Sequence, residues 1–426
     1  MLFKYQINKN KQNIINRNKE KAWFIKILIV LSIGFIPINI FPSGGFQLVD
    51  IIIILLIIIL IFSQVKINNK VISHIKLIIP FIIWASIVNL SYYIIVKEIR
   101  LLEIFLNMIY IFLLLMVYTK ICIEIFNKKN YYLMYISIIL SIICVFSFKG
   151  YYEWEGVRSS LSFNNPNQLG LFALTILAIT IFLMQYKKEY NIQNKIYAIL
   201  DAIFIVIAHY LAFLAISRAA LAAFIILDLC LLKNMLSKEL FVPLSLSLLM
   251  GGMLLVIINP TFIIDRIEER GSDRFTTDAV KDRIKISIQN PLKDLKNWKI
   301  IYGTGQIPAG KIWSDKKIIY SGTKNYQEVH NMFGNVLWGY GIIGLILYGA
   351  WIIKTILEVK LITNTLHVWG ALILYSMSGV LFRSRMFWLI IGIMMAMWNI
   401  KLETDKPQVN EDLSLSKSKL QNNPPE

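Results

Sequence analysis

From Ala22 to Ile400 the chain alternates long apolar runs with short polar connections. Each run has about 18 residues or more, enough at about 1.5 Å of rise per residue to cross a hydrocarbon core about 30 Å thick. The pattern predicts about twelve membrane-spanning helices, roughly at residues 22–40, 46–64, 75–96, 101–119, 131–148, 166–186, 196–216, 219–236, 240–259, 330–353, 361–382 and 386–400. The expected fold is all-α: a polytopic integral membrane protein with one large external loop, residues 260–329. Residues 1–21 form a polar leading segment, residues 22–400 the transmembrane domain, and residues 401–426 a polar tail that reads as disordered. The first apolar run is of full span length with no small-residue cleavage pattern before Phe41, so it reads as a retained span.

Composition agrees, with 57% hydrophobic and 16% charged residues and a mean hydropathy of +0.61. An ordinary soluble enzyme is excluded. The net charge of +18 would suggest nucleic acid in a soluble chain, but in a membrane protein the side each cation occupies comes first. The leading segment, the even-numbered connections and the tail carry twenty-three Lys and Arg, from Lys4 to Lys419, against seven in the short connections on the other side: Lys97, Arg100, Lys149, Arg158, Arg218, Arg383 and Arg385. Short basic segments resist translocation, which places both termini in the cytoplasm. The 260–329 loop carries thirteen Lys or Arg against nine Asp or Glu. Long loops translocate regardless of charge, so this one gives the outer face a basic cap. No nucleic-acid partner is expected. Cys122, Cys144 and Cys230 lie at different depths in or beside spans, which argues neither a disulfide framework nor a thiolate metal site.

Chemistry in such a protein belongs to polar groups at the outer rim, inside the spans or in an ordered loop. Asn165-Pro166-Asn167 opens the sixth span, with Asn165 as N-cap and Pro166 at the first helical position; Arg158 stands upstream. Ser217-Arg218 forms a tight turn between the seventh and eighth spans, where an arginine suits a lipid headgroup or a diphosphate, or anchors at the interface. In the large loop, Arg283 flanks a short amphipathic helix expected around Ile284, Ile288 and Leu295, and Tyr302-Gly-Thr-Gly305 follows. The loop ends at His330-Asn331, where a histidine at a helix start could be a general base or a capping group. Within the membrane, His209 and Asp228 lie about 12 to 16 Å below the Ser217 turn, close enough to pair across the hairpin as a buried hydrogen bond or a proton relay. Lys26, near the cytoplasmic end, reads as a snorkelling side chain.

Taken together, Arg158 with Phe163-Asn-Asn-Pro-Asn167-Gln-Leu-Gly170, Ser217-Arg218-Ala-Ala-Leu221, Asp282-Arg283 before Tyr302-Gly-Thr-Gly305, and His330-Asn331 before Gly339-Tyr-Gly-Ile-Ile-Gly344 resemble the bacterial O-antigen polymerases and O-antigen ligases, membrane glycosyltransferases of the GT-C type. The resemblance covers about residues 150–350, with Asp50 at a position where such proteins often carry an aspartate. The chain departs from the pattern at Leu161, where the family often has glycine, and at Lys285 or Ile286, where an aromatic commonly follows the loop arginine.

The resemblance implies a bacterial inner-membrane enzyme acting on an oligosaccharide linked to undecaprenyl diphosphate at the outer leaflet. Other implied partners are membrane lipids and possible pathway companions, a chain-length regulator and a flippase. Arg158, Arg218 and Arg283 would cradle the diphosphate, His330 would serve the acceptor hydroxyl, and Asn165, Asn167 and Asn331 would support them. No cofactor is expected, and the first external loop, Phe41 to Gln47, has no carboxylate to hold a metal. Polymerase is favoured over ligase. A lipid-linked oligosaccharide flippase or other transporter is the alternative from another class, although no internal repeat is found.

Overall fold

The computed structural model describes residues 23–40, 47–61, 66–97, 99–127, 130–150, 159–215, 217–235, 299–305, 331–360, 362, 364–377 and 379–404. The ninth predicted span, the amphipathic loop helix, Arg158, Arg283, His330, the leading segment and residues 405–426 of the polar tail lie outside them, whereas residues 401–404, expected to be disordered, continue the last helix.

Among the described residues the chain is all-α. The helices are α1 (Trp23–Gly34), α2 (Leu48–Ile61), α3 (Asn69–Lys76), α4 (Ile79–Val96), α5 (Ile99–Asn127), α6 (Tyr132–Ser147), α7 (Pro166–Glu189), α8 (Lys195–Ala215), α9 (Arg218–Met235), α10 (Lys299–Tyr302), α11 (Met332–Val359), α12 (Thr365–Ser376) and α13 (Arg385–Thr404), with a 3₁₀ turn at Leu381–Arg383. Eleven of the predicted spans therefore hold a helix. Six helices, counting Asn69–Ile95 as one, are long and apolar enough to cross a membrane, while α1, α2, α6 and α12 are shorter. The clearest shortfall is at residues 361–382. Asn364 takes a left-handed backbone (φ 69°) ahead of α12, and the chain turns again after Ser376; hydropathy registers neither break.

The bundle is apolar on its outer surface as well as in its core. Ile83, Ile87, Leu90 and Ile94 of α4, Leu221, Ile225, Leu229 and Leu232 of α9, and Ile342, Ile346, Ile353 and Leu357 of α11 are exposed at helical spacing, with Ile94 at 68%. Apolar stripes of this size facing outward fit a hydrocarbon solvent, in which helices satisfy their own backbone groups. Two helices apolar on every side, α7 and α13, are buried almost throughout and form the centre. Around them α5 packs along α13, α8 along α7, α9 against α12, and α4 against both α5 and α11.

Side-chain contacts mark two opposite ends. At one, the backbone N–H of Asn68 donates to Asn399 Oδ1 (2.7 Å), His74 meets Thr355 (2.9 Å), and Tyr186 Oη donates to the carbonyl of Phe126 (2.5 Å). Lys187 is buried there against Asp201, whose other oxygen accepts from Tyr135 Oη (2.7 Å). Lys26 reaches Asn130 (3.5 Å) and Tyr132 (3.4 Å) rather than extending away from the bundle. This end carries the lysine-rich connections. The other end holds the described members of the candidate motifs, Asn165, Asn167, Ser217 and Asn331.

Candidate functional site

At that second end α7 starts with a built cap. Asn165 is extended (φ −156°, ψ 156°), its side chain accepts from Gln168 N (2.9 Å), and Pro166 occupies the first turn, where its missing N–H costs nothing. Gln168 Oε1 accepts in return from Asn164 N (3.2 Å). One turn on, Gly170 faces the α8–α9 junction so closely that an added Cβ would stand 3.0 Å from the Ala220 Cβ and 3.2 Å from that of Ser217. The first two motifs are thus packed together. Ser159 N also donates to the Leu214 carbonyl at the end of α8 (3.1 Å). Arg218 is the first residue of α9 rather than part of a free turn, with Ser217 O accepting from Leu221 N (2.9 Å).

Leu161 has φ 48°. That places a leucine in the left-handed region, which favours glycine.

The end of α12 links these groups to α11. Tyr375 Oη donates to the Asn167 carbonyl, and Asn331 Nδ2 lies 3.7 Å from Met377 Sδ. Asn331 caps α11 through Oδ1, which accepts from Phe333 N (2.9 Å) and Gly334 N (3.0 Å). Asn165 and Asn331 are thus both occupied as helix caps.

Sequence reasoning missed a further contact, between the segment after α10 and a break in α11. Gly341 is non-helical inside α11 (φ 67°, ψ −169°), which frees carbonyls on the turn before it. Those carbonyls are taken from outside the helix. Thr304 N donates to Trp338 O (3.1 Å) and Gly305 N to Gly339 O (2.9 Å). Trp84 Nε1 donates to Tyr340 O (2.8 Å), while Tyr92 Oη donates to the Gly303 carbonyl (3.2 Å). A Cβ on Gly341 would stand 2.1 Å from Ile301 O, and Gly303 (φ 85°) and Gly305 (φ 68°) are also left-handed. Two glycine motifs that read separately in sequence form one backbone junction.

The described membrane interior holds two further polar clusters. His209 Nε2 lies 3.2 and 3.3 Å from the Asp228 oxygens, and Nδ1 is 2.8 Å from the Ile205 carbonyl. The hairpin pairing expected from spacing is present. A carbonyl partner makes Nδ1 the donor, so Nε2 and the carboxylate share one more proton. In the first turn of α2, Asp50 accepts from Arg385 Nε (2.6 Å) and Nη2, from Tyr110 Oη (2.5 Å) and from Gln47 N (2.6 Å). Asp50 thereby acquires a partner that sequence alone did not give it. Among the described residues no three His, Cys, Asp or Glu side chains gather as a metal site, and Cys122, Cys144 and Cys230 are free and buried.

These features define an all-α protein built for a membrane, with polar motifs from separate helices collected at one end. Comparison of the chain with protein-family models and with curated proteins gives no match.

Proposed function

We propose that the chain is a polymerase of undecaprenyl diphosphate-linked oligosaccharide repeat units, making O-antigen or capsular polysaccharide at the outer face of the bacterial inner membrane. The observation that carries this reading is the gathering of three motifs at one end of the bundle: Asn165–Asn167 and Ser217 packed through Gly170, and Asn331 joined to them through α12. The short connections on that side carry seven Lys and Arg against twenty-three on the other, as the outer face should by the charge rule.

In this reading an acceptor sugar hydroxyl attacks the anomeric carbon of the donor. The new C–O bond forms as the bond to the diphosphate oxygen breaks, and the diphosphate leaves with the electron pair. Arg158, Arg218 and Arg283 are permanent cations that neutralise the leaving group, and His330 takes the proton from the attacking hydroxyl. A ligase, which would transfer the glycan to lipid A core or another acceptor, uses the same chemistry. The transporter alternative draws on the broken helix α11. Its freed carbonyls, however, are hydrogen-bonded to Thr304, Gly305 and Trp84 rather than offered to a coupling ion.

Deletion of the gene followed by gel analysis of surface polysaccharide tests the proposal. Collapse of a ladder to one repeat is the polymerase outcome. Full-length polymer left on the lipid carrier indicates ligase, and repeat units trapped at the cytoplasmic leaflet would refute both in favour of a flippase.

A further inference from the structure

Arg385 uses only one edge of its guanidinium on Asp50. Nε and Nη2 form the fork, and the Asp50 carboxylate is completed by Tyr110 and Gln47. Nη1 has no partner among the described residues, and the Arg385 side chain is 21% exposed whereas that of Asp50 is 2%. Tyr118, fully buried and within electrostatic reach of both Asp50 and Arg385, has a hydroxyl with no hydrogen-bond partner among the described residues. Arg383 is exposed two residues earlier. The cluster sits at the head of α13, whose Met386 and Leu389 share a small cavity with Phe172 and Thr175 of α7, on the side of the bundle where α7 carries its Asn165 cap. A guanidinium immobilised on one edge and open on the other presents a planar pair of donors matched to a phosphate.

We propose that Arg385, clamped by Asp50, is an anion-binding residue whose open edge takes a phosphate group of an isoprenyl diphosphate. The lipid-linked identity of that ligand rests on the proposed function; recognition of the phosphate does not. Asp50 is a positioning residue for the arginine.

The test measures binding of farnesyl diphosphate to the full chain in phosphatidylcholine nanodiscs, with inorganic pyrophosphate and phosphatidylglycerol as competitors. Arg385→Gln is expected to weaken binding about tenfold or more, as for loss of a charge-assisted hydrogen bond. Asp50→Asn, which leaves the cation in place, is expected to weaken it less. Competition by pyrophosphate assigns the contact to the diphosphate alone, and competition by phosphatidylglycerol only assigns it to a lipid headgroup. Both results support an anion site. If Arg385→Gln does not fold, the Asp50→Asn/Arg385→Gln double variant leaves no lone buried charge and takes its place. Wild-type affinity in either variant overturns the proposal and leaves the pair purely structural. No glycan is read in this experiment, so a normal polysaccharide ladder after gene deletion would refute the polymerase and leave the anion site standing.

Discussion

Gly303 and Gly339 meet backbone to backbone, and a Cβ on Gly303 would stand 2.3 Å from the Gly339 carbonyl oxygen. That approach lets a segment within the large loop supply the hydrogen bonds that the break in α11 removes. The junction ties a connection between spans to the interior of a helix.

Gly303→Ala and Gly341→Ala are each expected to lower stability by more than about 2 kcal/mol, since both combine a left-handed backbone with a backbone clash. Thermal unfolding followed with a thiol-reactive dye measures this directly, because Cys122, Cys144 and Cys230 are buried until the fold opens. Gly349, with open space around its Cβ position, serves as the control, and Gly349→Ala should be neutral or stabilising.

At Leu161 backbone and side chain make opposite demands. If packing dominated, Leu161→Val would be milder than Leu161→Gly. The φ of 48° predicts the reverse, because a β-branched residue is a genuine outlier in the left-handed region. Leu161→Gly should therefore unfold at the higher temperature of the two.

Capping and ligand binding by Asn165 and Asn331 separate by substitution. Asn165→Ala and Asn331→Ala should each cost about 1 kcal/mol, while Asn165→Ser and Asn331→Ser, which keep a capping oxygen, should recover most of it. A serine variant that is stable yet makes shortened polysaccharide would give the asparagine a second role at the site. Full recovery of both stability and polymer would make it a cap alone.

Arg218→Ala and His330→Ala are expected to reduce polymer formation by about a hundredfold or more, as for loss of a transition-state charge partner or a general base. Both proteins should remain in the membrane fraction at wild-type abundance. Normal chain length in both would refute these site assignments.

Much of the architecture was legible because hydropathy and spacing act locally. The helix start at Pro166, the α8–α9 junction at Ser217 and the His209–Asp228 pairing all followed from residues close in sequence. The Asp50–Arg385 fork joins residues 335 positions apart and left no local trace. The junction at Gly341 was hidden for a different reason: its partners are peptide N–H and C=O groups, which every residue carries. A pattern of Gly339-Tyr-Gly341 reports a permissive backbone but not what docks there. The ends of α12 were misjudged because apolar residues continue through the turn that stops the helix.

The junction also fixes the two ends of residues 306–330. Gly305 is bonded to Gly339, and from Asn331 to Gly339 the helix advances only about 12 Å. Gly305 and Asn331 are therefore held about as far apart as four extended residues reach, with twenty-five residues between them in sequence. Lengthening such a loop costs little, about 0.6 kcal/mol for each doubling. A reporter inserted after Gly305 and well short of His330 is thus expected to leave the two anchored ends in register, which makes it a handle for following the protein in its membrane.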